Sequence, residues 1–273
     1  ARPAARDLNF ALTHDGAKRT ALVHVPPQAK GGKKLSLVIF LHGAGGSAAQ
    51  AMRQTNLTGL ADRVGFLAVF PEGLGPEGGQ TWNAWMCCGF ARDSKVDDVG
   101  FLDALISRLK TDGYSGPMID GKRVYLAGFS NGAMLASRFA LERPGVAAAI
   151  AVVSGTLPCD LDPPQRALPV LIVHGDQDKV ARFGPTPAHP ATGRSCEDYP
   201  ARAQVDYWVR GLGLPAKPRV LQHTKTNSRL EIYESGPTGK RGRAELRSLV
   251  VHGGGHAWPG GAREVYKYCD MPL

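Results

Sequence analysis

No stretch of this sequence is long and apolar enough to cross a membrane, so no transmembrane segment is expected. The five cysteines, Cys87, Cys88, Cys159, Cys196 and Cys269, form no CxxC pair. The ligand spacing of a structural zinc site is therefore missing, and no metal is expected. Basic residues outnumber acidic ones and the formal charge is +9, yet no long basic stripe with interleaved aromatics is present. The densest clusters, Lys30 to Lys34 and Lys240 to Arg243, are short and flanked by glycine, as solvated loops are. Nucleic acid is not an expected partner. Internal repeats and domain linkers are also lacking, so residues 1–273 are expected to form a single α/β domain with a full core. Gly73 to Gly78 matches the G-x-G-x-x-G spacing after a strand, but Pro76 and Gly79 do not open a helix. The dinucleotide motif fails its own context, and no cofactor is expected.

The chain does not begin with Met, and Ala1-Arg2-Pro3 suits a mature start after cleavage. The cysteines suit an exported protein, secreted or periplasmic, with one or two disulfides and an odd thiol left over. Nothing in the sequence specifies the oligomeric state or a lipid anchor.

Hydrophobic patterning divides the chain into alternating strands and helices. Leu8 to His14 and Thr20 to Val25 flank Asp15-Gly16, a hairpin signal. Leu35 to Leu41 (LSLVIFL) is a buried strand, Gln50 to Val64 is mostly helical, and Phe66 to Phe70 is the next buried strand. Glu72 to Val96 is long and irregular. Asp97-Asp98 caps a helix running through Lys110, with acids at its start and bases near its end as the helix dipole prefers. Val146 to Val153 and Pro169 to His174 are further apolar runs, Cys196 to Gly211 is helical, and Arg219–Thr224, Leu230–Glu234 and Leu246–His252 are late strands. Such alternation predicts a mainly parallel, twisted sheet with helices on both faces.

The segment Lys122 to Arg143 organises the rest. Val124 to Ala127 is a short strand, Gly128-Phe129-Ser130-Asn131-Gly132 is a sharp turn, and Ala133 to Glu142 is rich in helix formers. A Gly-x-Ser-x-Gly corner between strand and helix lifts the serine hydroxyl above the sheet at a helix N-terminus. The two glycines are required because a Cβ at either position would strike the neighbouring strand or helix.

In such sheets ligands bind beyond the carboxyl ends of the strands. His42-Gly43-Ala44-Gly45-Gly46 follows the first buried strand, Ser130 the second motif, His174-Gly175-Asp176-Gln177-Asp178 the next, and His252 to Gly261 the last. Serine, acid and histidine in that order match the chain order of an α/β-hydrolase triad. Serine is a weak nucleophile until a base takes its proton, and the base needs a carboxylate to fix its tautomer and stabilise its positive charge. Ser130 is thus the expected nucleophile, His256 the base, with His252 as the alternative, and Asp178 the acid, with Asp176 as the alternative. The N–H groups of Ala44 and Asn131 are the expected oxyanion donors. His42 is expected as a residue of the site wall, and Trp82, Trp85 and Trp258 as an apolar surface for the acyl group.

LHGAGG, WNAWMCCGFARDSKVDDVGF, GFSNGAM and GGGHAWPGG together resemble the secreted esterases known as poly(3-hydroxybutyrate) depolymerases and feruloyl esterases, grouped with carbohydrate esterase family one. The likeness runs from about Thr20 to Gly261. It implies an α/β-hydrolase fold, with Ser130, Asp178 and His256 as triad. The family usually carries a proline shortly after the valine that follows the acid; Asp178-Lys179-Val180-Ala181-Arg182 does not, and the long Pro185–Arg194 insert is given no place in the resemblance. The expected function is hydrolysis of feruloyl-type, hydroxyalkanoate or short acyl esters, small or polymeric, through an acyl-enzyme. The alternatives are acyl transfer on the same fold and an inactive polymer-binding relative.

Overall fold

Leu35–Leu41 is apolar at all positions but Ser36 because both faces of this strand are covered. Leu37, Ile39 and Leu41 point into one core and Phe40 into the other, as the two-residue period of a strand requires. The computed structural model describes residues 4–29, 34–111, 119–184, 200–235 and 244–260. Cys196, Cys269, the Pro185–Arg194 insert, the Lys240–Arg243 turn and all but Lys34 of the first basic cluster lie outside them.

Among the described residues, ten strands form one sheet: β1 (Arg6–His14), β2 (Ala17–Val25), β3 (Leu35–Leu41), β4 (Phe66–Pro71), β5 (Ile119–Phe129), β6 (Ala149–Val153), β7 (Val170–Gly175), β8 (Arg219–His223), β9 (Ser228–Glu234) and β10 (Glu245–Val251). Their order is β1-β2-β4-β3-β5-β6-β7-β10-β9-β8. From β4 to β10 neighbours run parallel, and the hairpins β1–β2 and β8–β9 extend the two ends antiparallel. The β1–β2 hairpin closes on Asp15 and Gly16, both with positive φ (49° and 74°), the backbone that a two-residue turn between twisted strands needs.

The helices divide between the faces. α4 (Asp98–Thr111), α5 (Asn131–Glu142) and α6 (Ala201–Leu212) pack against one core, while α1 (Ala48–Thr55) and α2 (Leu57–Val64) pack against the other. This is the α/β-hydrolase arrangement. The single helix expected over Gln50–Val64 is broken in two at Asn56, whose φ of 52° is left-handed and ends one helix as it starts the next. The Glu72–Val96 segment contains a short helix, α3 (Gly89–Asp93), that its irregular sequence did not announce. Cys87 and Cys88 are joined by a disulfide, and Cys159 is disulfide-bonded as well. Among the described residues, no helix is long and apolar enough to cross a membrane.

Candidate active site

Ser130 sits where β5 ends and α5 begins, with φ 52° and ψ −121°. A non-glycine residue in this conformation is strained, and the strain is held in place by its surroundings. Ser130 N–H donates to the Val153 carbonyl at 2.9 Å, tying the corner to β6. A Cβ on Gly128 would collide with the Gly132 backbone on the helix side. One on Gly132 would collide with the Leu41 and His42 carbonyls at the end of β3. Both glycines are thus needed for the close approach that lifts the hydroxyl.

His256 stands across from that hydroxyl. Its Nε2 is 2.9 Å from Ser130 Oγ and its Nδ1 is 2.8 Å from Asp178 Oδ2. The ring is 2% exposed and the Asp178 side chain 0%, so the contact between them is shielded from water, while Ser130 is half-buried. Asp178 Oδ1 accepts the N–H groups of Val180 (2.9 Å) and Ala181 (2.8 Å). Burial alone would raise the pKa of this carboxyl, but hydrogen bonds from His174 and His256, and the charge these rings can carry, hold it well below the usual carboxylate range.

The alternatives that the sequence left open form a second pair. His252 Nδ1 is 2.8 Å from Asp176 Oδ2, and Gly253 N–H donates to Asp176 Oδ1 at 2.8 Å. This pair is more exposed than the first, and it fastens the start of the histidine loop to the end of β7. His174, on β7, is a further ring beside Asp178, with Nε2 3.2 Å from Oδ2.

The loop after β3 is held from several sides. His42 Nδ1 donates to the Gly43 carbonyl at 2.8 Å, and its Nε2 accepts Gly73 N–H at 3.0 Å. Burial pushes His42 down to about 4, so it is neutral at ordinary pH. Trp82 Nε1–H donates to the His42 carbonyl at 2.9 Å, and Gly45 N–H to the Gln80 carbonyl at 2.8 Å. Asn131 clamps the Trp82 backbone, accepting its N–H at 2.7 Å and donating to its carbonyl at 2.9 Å. The backbone N–H groups of Ala44 and Asn131 have no acceptor among the described residues.

His42 and Trp82 are both wholly buried and act through this scaffold. Trp85 is half-buried with a positive φ of 58°. Trp258, also half-buried, packs edge-on against Phe40 with ring centroids 5.0 Å apart, two residues from His256. The clamp formed by His42, Trp82 and Asn131 and the second His–Asp pair went unrecognised in the sequence. The HGDQD and HGGGH segments held the signal, since two closely spaced acids in one and two closely spaced histidines in the other allow two pairs.

Chemically, the arrangement offers a hydroxyl on an imidazole, an imidazole on an ionised carboxylate, and the N–H groups of Ala44 and Asn131 without acceptors among the described residues.

Comparison with known proteins gives four findings. The family described as "Esterase PHB depolymerase" matches residues 20–186. "Putative esterase NocK" of Nocardia uniformis subsp. tsuyamanensis is 32% identical over 266 residues, covering 90% of this chain and 72% of that protein. "Feruloyl esterase B" of Piromyces equi is 28% identical over 244 residues, covering 88% of this chain but 42% of that protein. Among solved structures, acetyl xylan esterase from Aspergillus awamori superposes with a TM-score of 0.63 at 16% identity, covering 92% of this chain and 95% of that one. At that identity the likeness is one of fold.

Proposed function

This chain belongs to the esterase PHB depolymerase family, and on that premise we propose that it hydrolyses carboxylic esters through an acyl-enzyme on Ser130. The observation that carries the reading is the position of His256, 2.9 Å from Ser130 Oγ and 2.8 Å from Asp178 Oδ2. Ser130 Oγ attacks the ester carbonyl carbon while its proton passes to His256 Nε2. The carbonyl oxygen becomes an oxyanion, taken by the N–H groups of Ala44 and Asn131. Collapse of the tetrahedral species breaks the bond to the alcohol oxygen, which leaves with the proton from Nε2. Water then gives a proton to Nε2 and attacks the acyl carbon. The acid departs and Ser130 recovers its proton. Asp178 stays ionised throughout and steadies the imidazolium.

The acyl group is of the feruloyl, hydroxyalkanoyl or short-chain kind, on a small or polymeric alcohol. Support comes from the family's name and from relatives named feruloyl esterase and acetylxylan esterase. Trp85 and Trp258 are the aromatic surfaces left for such a group, because Trp82 and His42 are buried in the scaffold. The chain works as one hydrolase domain outside the cytoplasm. The disulfides support export, as does a relative named as a secreted protein.

The test is para-nitrophenyl acetate hydrolysis by wild type and Ser130→Ala. Wild type should turn over and the variant should lose nearly all activity; equal rates would remove the mechanism. Rates on methyl ferulate, a hydroxybutyrate oligomer and acetylated xylan then rank the acyl groups.

A further inference from the structure

His174 lies on β7, and its side chain is 1% exposed. Its Nε2 faces two acceptors, the Ala181 carbonyl at 2.7 Å and Asp178 Oδ2 at 3.2 Å. Facing two acceptors, Nε2 is assigned the ring hydrogen, while the buried Nδ1 has no partner among the described residues. Asp178 Oδ2 also receives His256 Nδ1–H at 2.8 Å, so one carboxylate oxygen lies between two imidazoles. The other oxygen is occupied by the N–H groups of Val180 and Ala181. The carboxylate thus takes three hydrogen bonds, from His256, Val180 and Ala181, and His174 Nε2, bonded to the Ala181 carbonyl, adds a fourth polar contact at 3.2 Å.

We propose that His174 is a positioning residue for ester hydrolysis. It shares Asp178 Oδ2 with His256, aims the carboxylate, draws off part of its charge, and so sets the pH below which His256 no longer serves as base. The inference rests on the reading of Ser130, His256 and Asp178 given above. Its physical basis is competition for one oxygen. A carboxylate with fewer donors is a stronger partner for the remaining imidazole, which then holds its proton more firmly.

The neighbouring groups leave this role to His174. On β10, Val250 pairs opposite it and is apolar. On the far side, Phe183 lies with its ring 5.8 Å away. Asp176 and His252 are bound to each other. On α6, Arg202 is held by Glu231 of β9. Lys179, in the acid's own loop, is exposed, and Arg182 follows Ala181 in the next turn. The Ser130 hydroxyl meets the cluster through His256.

The experiment compares kcat/KM against pH, with para-nitrophenyl acetate, for wild type, His174→Leu and His174→Gln, each with its Tm. Leucine removes the donor; the glutamine amide can set a donor near the imidazole Nε2 position. For His174→Leu the acidic limb should move to higher pH by roughly half a unit or more, with the plateau kcat lowered about tenfold. His174→Gln should bring the limb back toward wild type. If His174→Leu fails to fold, His174→Asn, too short to reach Oδ2, takes its place. An acidic limb unchanged in the donor-less variant, with activity falling only in step with Tm, overturns the inference. Ser130→Ala and His256→Ala in the same series keep the two claims apart. Should either retain wild-type rates, the hydrolase reading fails; should both be inactive while the limb stays fixed, only the role of His174 fails.

Discussion

Gly175 lies directly beneath Gly254, so that a Cβ on Gly175 would run into the Gly254 carbonyl oxygen. Gly175 ends β7, whose following turn carries Asp176 and Asp178, and Gly254 belongs to the loop that carries His256. Backbone hydrogen bonds fasten the two, from Asp176 N–H to Val251 O at 3.1 Å and from Gln177 N–H to Gly254 O at 2.9 Å. The contact between Asp178 and His256 is thus fixed by two stacked stretches of backbone rather than by the side chains alone.

Gly175→Ala should therefore push the histidine loop away from β7 and lengthen the His256 contacts. A displacement of about 1 Å at a reacting group can cost on the order of 10²-fold in rate. We expect kcat with para-nitrophenyl acetate to fall by that order while the far-ultraviolet circular dichroism stays that of wild type. A kcat within about threefold of wild type would show that the loop tolerates the shift.

Asn131→Ala tests the clamp behind the loop that follows β3. It keeps the backbone N–H of residue 131 but leaves the buried Trp82 N–H without its acceptor, while the Trp82 carbonyl keeps the Cys88 N–H at 3.2 Å. One orphaned buried donor should cost about 1–3 kcal/mol. For a chain of this size that lowers Tm by roughly 2–10 °C, measured by thermal unfolding. The expected loss of activity is smaller than for Ser130→Ala. An unchanged Tm would mean that Trp82 is held by its ring alone.

Much of this was legible in the residues because the signals were local. The apolar run of β3, the Asp15-Gly16 turn and the Gly-x-Ser-x-Gly corner each depend on neighbours within a few positions. The break at Asn56 was not legible, since the residues on either side continue the helical pattern and only a left-handed φ divides them. The choice between Asp176 and Asp178, and between His252 and His256, was open because it depends on the path of two loops far apart in sequence. All four residues are used, as two parallel pairs, and only the inner pair reaches Ser130. The tryptophans illustrate the same limit. Trp82 looked like wall and is scaffold, because its Nε1–H finds the His42 carbonyl across 40 residues.

His42 gives the protein a defined acid sensitivity. Burial lowers its pKa from 6.5 to about 4, against a smaller opposing effect of its bond to Gly43. Its folded value lies below its unfolded value, so the unfolded chain binds the proton more readily. The stability it contributes is complete above pH 6.5 and is lost as pH falls from there to about 4. The loss is on the order of 3 kcal/mol. Denaturant unfolding at pH 7, 5.5 and 4.5 should show wild type losing stability faster than His42→Gln over this window. Parallel losses in the two proteins would contradict the assignment.

The most direct measurement is covalent trapping. A fluorophosphonate reacts with a serine only when a neighbouring base takes its proton, and it leaves a stable adduct whose mass identifies the residue. Incubated with this protein and digested for mass spectrometry, it should label the peptide containing Ser130 at one equivalent and abolish ester hydrolysis in proportion. Ser130→Ala should take up no label, and His256→Ala should take it up far more slowly. Full inactivation with the label on another residue, or undiminished turnover with Ser130 fully labelled, would contradict the account.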